Sequence, residues 1–306
     1  MSAFDPSLVD ASWYEASARQ RVEGLVDAGT FVEFVGPTER EVSPHLPLFD
    51  LPQQFDDGMI VGQAALDGRP IFVAAQEGRF MGGAFGEVHG AKLTGLLRAA
   101  HDERSVPVLI LFDTGGVRLQ EANAGELAIA EIMRALLDAR SAGVPVIGLV
   151  GGRAGCYGGG GLLAACCSAL AVSEQGRISV SGPEVIETNR GVDEFDSKDR
   201  ALVWRTMGGK HRRLIGGADC FVNDTLSAFR DAVIALLAKR PAFDLEVLEA
   251  EQSRLEARIA AFGSCDDAYD VWRTLGATDV EAIPAMPGDA FAALADRLQE
   301  TQDDAR

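Results

Sequence analysis

Short, almost wholly apolar runs alternate with stretches of helical periodicity through the middle of this chain, and that rhythm predicts its architecture. Strands are expected at 107–113, 145–150 and 168–173, and helices at 120–141 and 158–167. A run such as Val108-Leu109-Ile110-Leu111-Phe112 suits a strand covered on both faces. Strands that alternate strictly with helices form right-handed βαβ crossovers around a mainly parallel sheet. Upstream, Met59–Leu66 and Ile71–Gln76 read as strands, with Asp67-Gly68-Arg69-Pro70 between them as the loop of a β-hairpin. The glycine-rich segment Gly78–Gly86 then leads into a helix at about Glu87–His101.

The flanks have a different texture. Ser12–Ala28 carries a helical pattern ended by Gly29, and Phe31–Val35 alternates as a short strand. Gly36–Asp57, with four prolines and little periodicity, reads as a loop wrapped over the body or over a partner. After Ser181-Gly182-Pro183 come a helix at 184–189, an acidic loop at 191–196, a helix at 198–207 and the basic run Lys210-His211-Arg212-Arg213; helices at 225–239, 244–262 and 288–300 follow. The pattern divides the chain into an N-terminal helix and wrapping loop (1–56), an α/β core (57–225) and a C-terminal helical extension packed on the core or on a partner subunit (226–306).

Charge and composition narrow the function. A net charge of -18 over 306 residues argues against general nucleic-acid binding, which needs a positive surface. No run of eighteen apolar residues exists, and Met1–Asp10 is too polar and acidic for a signal peptide, so a cytoplasmic protein is expected. The cysteines, Cys156, Cys166, Cys167, Cys220 and Cys265, form no C-x-x-C pair, so neither a metal site nor a disulfide framework is expected. Cys166-Cys167 lies in an apolar stretch and reads as a pair of small buried hydrophobes.

The candidate chemistry lies in two glycine turns. Strand 107–113 runs into Asp113-Thr114-Gly115-Gly116-Val117-Arg118, and strand 145–150 is followed by Gly155-Cys156-Tyr157-Gly158-Gly159-Gly160-Gly161; each turn precedes a helix. Ligands of parallel sheets bind at the carboxyl ends of strands, and two such turns can aim backbone N–H groups at one crevice, a layout for stabilising an oxyanion. Neither turn matches a nucleotide-binding fingerprint. Arg118, Gln120 and Glu121 read as partners of the helix start rather than as substrate ligands. Tyr157 is either a proton donor or a packing residue. His89 and His101, twelve residues apart on one helix, lie about 120° apart around it and share no role. The run at 210–213 is a solvated face, or a docking site if the substrate arrives on something anionic.

Arg79–Gly90, Asp113–Glu121, Tyr157-Gly158-Gly159 and Gly182–Glu187, in that order, closely resemble the acyl-CoA carboxyltransferase family of the crotonase-like superfamily. The likeness spans about residues 57–225. Within the family, Gly115–Asn123 and Glu184–Asp196 are most similar to the β subunits of biotin-independent malonate decarboxylases. The resemblance implies an α/β crotonase-like spiral of β-β-α units with helical N- and C-terminal extensions. It implies a carboxy-lyase that decarboxylates a malonyl thioester on an acyl carrier subunit. The expected partners are a γ subunit, an acyl carrier (δ) subunit and an acyl-transferase α subunit. No tightly bound cofactor and no biotin are implied; the substrate rides on a phosphoribosyl-dephospho-CoA prosthetic group of the carrier. Catalytic roles carry over to Gly115, Gly116, Val117, Tyr157, Gly158 and Gly159, and substrate or carrier binding to Gly82, Gly83, Lys210, Arg212 and Arg213. The alternatives are a carboxyltransferase β subunit of a biotin-dependent acyl-CoA carboxylase and a non-catalytic scaffold subunit. The first carries a four-cysteine zinc ribbon in its family, and this chain has no cysteine before Cys156.

Overall fold

The computed structural model describes residues 11–239 and 243–304. Met1–Asp10, read above as too polar for a signal peptide, lies outside them. In chain order the elements are α1 (Ala18–Leu25), β1 (Val32–Phe34), β2 (Met59–Leu66), β3 (Arg69–Gln76), α2 (Glu87–Glu103), β4 (Val108–Phe112), α3 (Asn123–Ser141) and β5 (Val146–Val150). There follow β6 (Cys156–Tyr157), α4 (Gly159–Ala165), β7 (Ala169–Ser173), β8 (Ile178–Ser179), α5 (Pro183–Arg190), α6 (Arg200–Met207) and α7 (Gly209–Leu214). The chain closes with β9 (Cys220–Val222), α8 (Leu226–Ala238), α9 (Leu245–Phe262), α10 (Ala268–Thr274) and α11 (Gly288–Asp304).

One sheet of seven strands, ordered β1-β2-β3-β4-β5-β7-β9, forms the centre, and β6 pairs with β8 apart from it. The sheet is parallel from β3 to β9 and antiparallel from β1 to β3, as the alternation of strands and helices requires. Every residue of β4, β5 and β7 is buried. Successive side chains of a strand point to opposite faces, so β4 serves two cores at once. Val108, Ile110 and Phe112 meet Leu93 and Leu97 of α2 and Ile132 and Leu136 of α3 on one face. Leu109 and Leu111 meet Val22 and Leu25 of α1 and Phe229 and Val233 of α8 on the other. Each such side chain contributes roughly 1.5–3 kcal/mol by leaving water. Among the described residues no helix is long and apolar enough to cross a membrane.

Local chemistry moves several boundaries. α1 starts later than Ser12 because Ser17 and Gln20 form a reciprocal capping box there. The hairpin loop is two residues, not four: Arg69 and Pro70 pair with Leu66 and Ala65, leaving Asp67 and Gly68 at φ 50° and 70°. Asp27 reaches over to accept both of their N–H groups, at 3.1 and 2.8 Å. α3 begins at Asn123 rather than at 120, since residues 119–121 form a separate 3-10 turn and Ala122 breaks the helix at φ 47°. α7, β9 and α10 are too short to announce themselves by periodicity.

An ion pair fixes the N-terminal segment to the end of the central strand. Arg21, 1% exposed, donates from Nη1 to Asp113 Oδ2 at 2.7 Å and from Nε to the Trp13 carbonyl at 2.8 Å, while Trp13 stacks on Phe229 of α8. Removing one partner of a buried pair leaves a charge with neither water nor counter-ion. Arg21→Met should therefore lower the unfolding free energy by about 3–5 kcal/mol in urea titrations, whereas substitution of the exposed Arg98, paired with Glu131, should cost under about 1 kcal/mol.

Candidate active site

The two glycine turns meet. At the end of β4 the buried Asp113 carboxylate accepts the Ala154 N–H at 2.6 Å as well as Arg21, and so ties the first turn to the segment leading into the second. It fits only because Gly78 and Gly152 flank it: a Cβ on either would lie 2.5 or 2.2 Å from the carboxyl carbon. Beyond it, Thr114 N–H donates to Gly155 O (2.8 Å) and Tyr157 N–H to Thr114 O (2.9 Å), which welds the first turn to β6. A Cβ on Gly158 would stand 3.3 Å from Gly116 Cα. Gly116 has φ 129°, and Gly158 has φ 60° with ψ -132°, a region essentially reserved for glycine.

Main-chain hydrogen bonds sort the expected donors. Gly115 N–H donates to Gly82 O at 2.8 Å, and Gly116 N–H, one of the expected donors, to Thr114 Oγ1 at 3.1 Å, so in this structure both amides are engaged within the protein. They are consumed because a turn this tight must satisfy its own polar groups. The N–H groups of Val117 and Gly159 have no acceptor among the described residues, the latter because it stands in the first turn of α4, whereas the parallel pairing of Tyr157 with Ser179 turns Gly158 N–H towards Ser179 O. Gly82 and Gly83 are the floor of the first turn: Gly83 O accepts from Gln76 Nε2, and Gln76 Oε1 accepts the Asp113 N–H.

Arg118 and Glu121 have the internal roles expected of them. The guanidinium, fully buried, donates to Asp57 Oδ2 (2.8 Å), Asp57 O (2.8 Å) and Glu121 Oε1 (2.9 Å). Glu121 also accepts from Ser43 Oγ and from the Glu87 N–H, both at 2.7 Å, and Asp57 accepts the His89 N–H at 3.0 Å. Burial pushes the Glu121 carboxyl up, but these hydrogen bonds outweigh it and leave the pKa lowered; for Asp57, burial prevails over Arg118 and the pKa is raised. His89, stacked on Phe85, bonds Ala84 O through Nδ1. Burial, then the neighbouring Arg118 charge, drives its pKa down to about 3, so the ring is neutral. Asp57 and Ser43, unremarked in the sequence, complete this cluster; both sit in the proline-rich loop, where no local pattern marks them.

Tyr157 is buried in β6 against Val203 and Met207 of α6. Its hydroxyl has no hydrogen-bond partner among the described residues, and burial raises its pKa. The basic run is not the exposed docking patch the sequence suggested. Lys210 donates to the carbonyls of Pro284 (2.9 Å) and Met286 (2.8 Å), and Arg213 pairs with Asp296 of α11 at 2.6 Å. His211 accepts from Trp272 Nε1, and burial holds its pKa down to about 3; burial also lowers Arg212 to about 10. These charges buttress the C-terminal helices, a tertiary use that no run of cations reveals in advance.

The model of the carboxyl transferase domain matches residues 15–250. The malonyl-S-ACP:biotin-protein carboxyltransferase of Malonomonas rubra is 42% identical over 95% of this chain and 98% of its own length. The propionyl-CoA carboxylase beta chain of Saccharopolyspora erythraea is 32% identical over 58% of this chain and 32% of its own. Among solved structures, a chain of a Pseudomonas malonate decarboxylase hetero-tetramer in complex with malonate superposes with a TM-score of 0.79 at 40% identity, over 88% of this chain and 98% of that one.

Two measurements check this geometry. Gly82 and Gly83 share a positive φ, but only at Gly83 would a Cβ collide, 1.7 Å from Asp113 O. Gly83→Ala should therefore cost roughly 1–3 kcal/mol more than Gly82→Ala in thermal unfolding, and equal losses would contradict the close approach. His89 and His211 stay neutral in the folded chain down to pH about 3, whereas the unfolded chain protonates them near 6.5. Stability should fall as pH drops through that window, and between pH 6 and 5 the slope for His211→Asn should be shallower than that of the parent by about 1.4 kcal/mol per pH unit.

Proposed function

The chain belongs to the carboxyl transferase domain family and has its α/β crotonase-like fold, and on that premise we propose that it is the β subunit of a malonate decarboxylase, taking CO2 from a malonyl thioester on an acyl carrier. The observation that carries this reading is the contact of the two glycine turns, with Val117 and Gly159 keeping N–H groups that have no acceptor among the described residues. Breaking the bond from Cα to the carboxylate releases CO2 and leaves its electron pair as an enolate, with charge on the thioester oxygen. Fixed amides that meet this charge stabilise the transition state more than the ground state, at about 2.7–4 kcal/mol per donor. A proton then joins Cα to give the acetyl thioester. Tyr157, neutral and with a hydroxyl that has no partner among the described residues, is the proposed donor.

The expected partners follow from the same reading. The thioester would ride on the carrier's CoA-derived arm, and a γ subunit would close the crevice. Leu119, Leu127 and Leu162, on or next to the elements after the turns, are exposed together with Val180 and Val185, an apolar rim suited to such a subunit. The hetero-tetramer among the neighbours is consistent with this assembly. A second reading draws on the Malonomonas relative, whose name makes a biotin protein the carboxyl acceptor; there the same enolate forms, and the carboxyl group passes to biotin instead of leaving as CO2.

Reconstitution with γ and a malonyl-loaded carrier decides between them. CO2 release should require γ and no biotinylated protein; strict dependence on biotin would establish the second reading, and full activity of this chain alone would remove the need for a partner. In the active complex, Gly116→Ala, whose Cβ meets nothing within 4 Å but is strained by the φ of 129°, should leave assembly intact and, by displacing the neighbouring Val117 N–H, cut turnover by about a hundredfold or more. Unchanged turnover would leave a scaffold, and unchanged turnover in Tyr157→Phe would remove the tyrosine from the proton transfer.

A further inference from the structure

α9 is a helix turned the wrong way out. Its eighteen residues bury none of their side chains. The face towards the body is charged: Arg254 donates to Gly216 O at 3.1 Å and pairs with Glu251 at 2.6 Å. Glu251, Arg254 and Arg258 line a cavity of about 380 Å³ that separates the helix from Leu214 and Ile215 at the end of α7. Phe262 lines the same cavity and Val247 lies between Arg254 and Arg258 around the helix, but the other large apolar residues face elsewhere. Leu245, Leu248, Leu255 and Ile259 are 69%, 48%, 40% and 74% exposed, and with Gln252 they repeat at intervals of three and four, the seam spacing of a coiled coil. On a helical projection the seam is bordered on one side by the body-facing charges and on the other by an acidic stripe of Glu246, Glu249 and Glu256.

We propose that α9 is a docking helix for an amphipathic helix of a different subunit, one that carries an apolar heptad stripe flanked by lysine or arginine. Heptad spacing selects a helix as the occupant, since a seam of this kind takes knobs from a facing helix along its length of about 27 Å. The charge pattern selects a different, basic chain. A second copy of this chain, with net charge -18, would set one acidic stripe near another, and like charges beside a seam oppose pairing. Gln252, in the middle of the seam, asks for a polar residue in the facing layer and so fixes the register. The inference is independent of the decarboxylase reading, because it uses neither glycine turn nor the apolar rim beside them.

The test uses the complex as isolated from cells making the tagged full-length chain, with a photo-crosslinking residue in place of Leu248. The crosslink is expected to map to a helical segment of another subunit with lysine or arginine beside its apolar positions. Leu248→Glu with Ile259→Glu should leave the circular dichroism and Tm of the free chain unchanged, since neither side chain is in the core, and weaken binding of that subunit at least tenfold. Glu249→Lys with Glu256→Lys should weaken it too, and flatten its dependence on salt. A crosslink to a second copy, to an acidic or non-helical segment or to nothing, or unaltered affinity in the Leu248 and Ile259 variant, overturns the proposal.

Discussion

A single carboxylate, Asp113, stands where the central strand stops and everything around the crevice is arranged against it. It is buried, so it needs compensation from every side. Arg21 supplies the charge from the N-terminal segment, Ala154 N–H supplies a hydrogen bond from the far turn, and Gly78 and Gly152 supply the room. With those contacts made, two loops distant in sequence have one available spacing, and Gly116 comes to rest against Gly158. Catalysis by main-chain amides demands that kind of rigidity, because a donor that had to reorganise during the reaction would lose much of its worth.

The charged side chains near the crevice serve the same end. Arg118, Asp57, Glu121 and Ser43 form a closed set in which the groups hold one another and the proline-rich loop is locked to the start of α2. Such a cluster is weak evidence for stability, since well-packed apolar residues often do as well. Its value here is positional: the guanidinium ties the proline-rich loop to the first turn and to the 3-10 turn before α3. Most polar side-chain atoms here are thus used up as scaffold; the backbone amides of Val117 and Gly159, the Tyr157 hydroxyl, His89 Nε2 and Arg118 Nε keep no partner among the described residues.

Net charge and surface apolarity pull in different directions in this chain. An acidic surface keeps copies apart in water, yet the rim beside the turns and the seam on α9 expose aliphatic side chains. Chains that carry both features are built to meet something other than themselves. The two faces are separate, one at the crevice and one on a helix that touches the body chiefly through charges.

The sequence by itself determined the long buried strands of the sheet, the helices that alternate with them, and the place of both glycine turns, but not the short β6, β8 and β9. Those follow from local quantities: apolar runs that cannot remain in water, turns that need positive φ, and the period of each helix. It also marked Arg118 and Glu121 as structural, because a charge pair at a helix start satisfies itself. Only the tertiary structure decided which amides stay unpaired. Gly115 and Gly116 look like their neighbours in the sequence and lose their N–H groups to Gly82 and Thr114 once the turns pack. Lys210 and Arg213 read as a solvated patch until α7 places them beneath the carbonyls and carboxylate of the C-terminal helices. Hydrogen-bond partners and burial are properties of chain segments brought together from far apart, and no window along a sequence contains them.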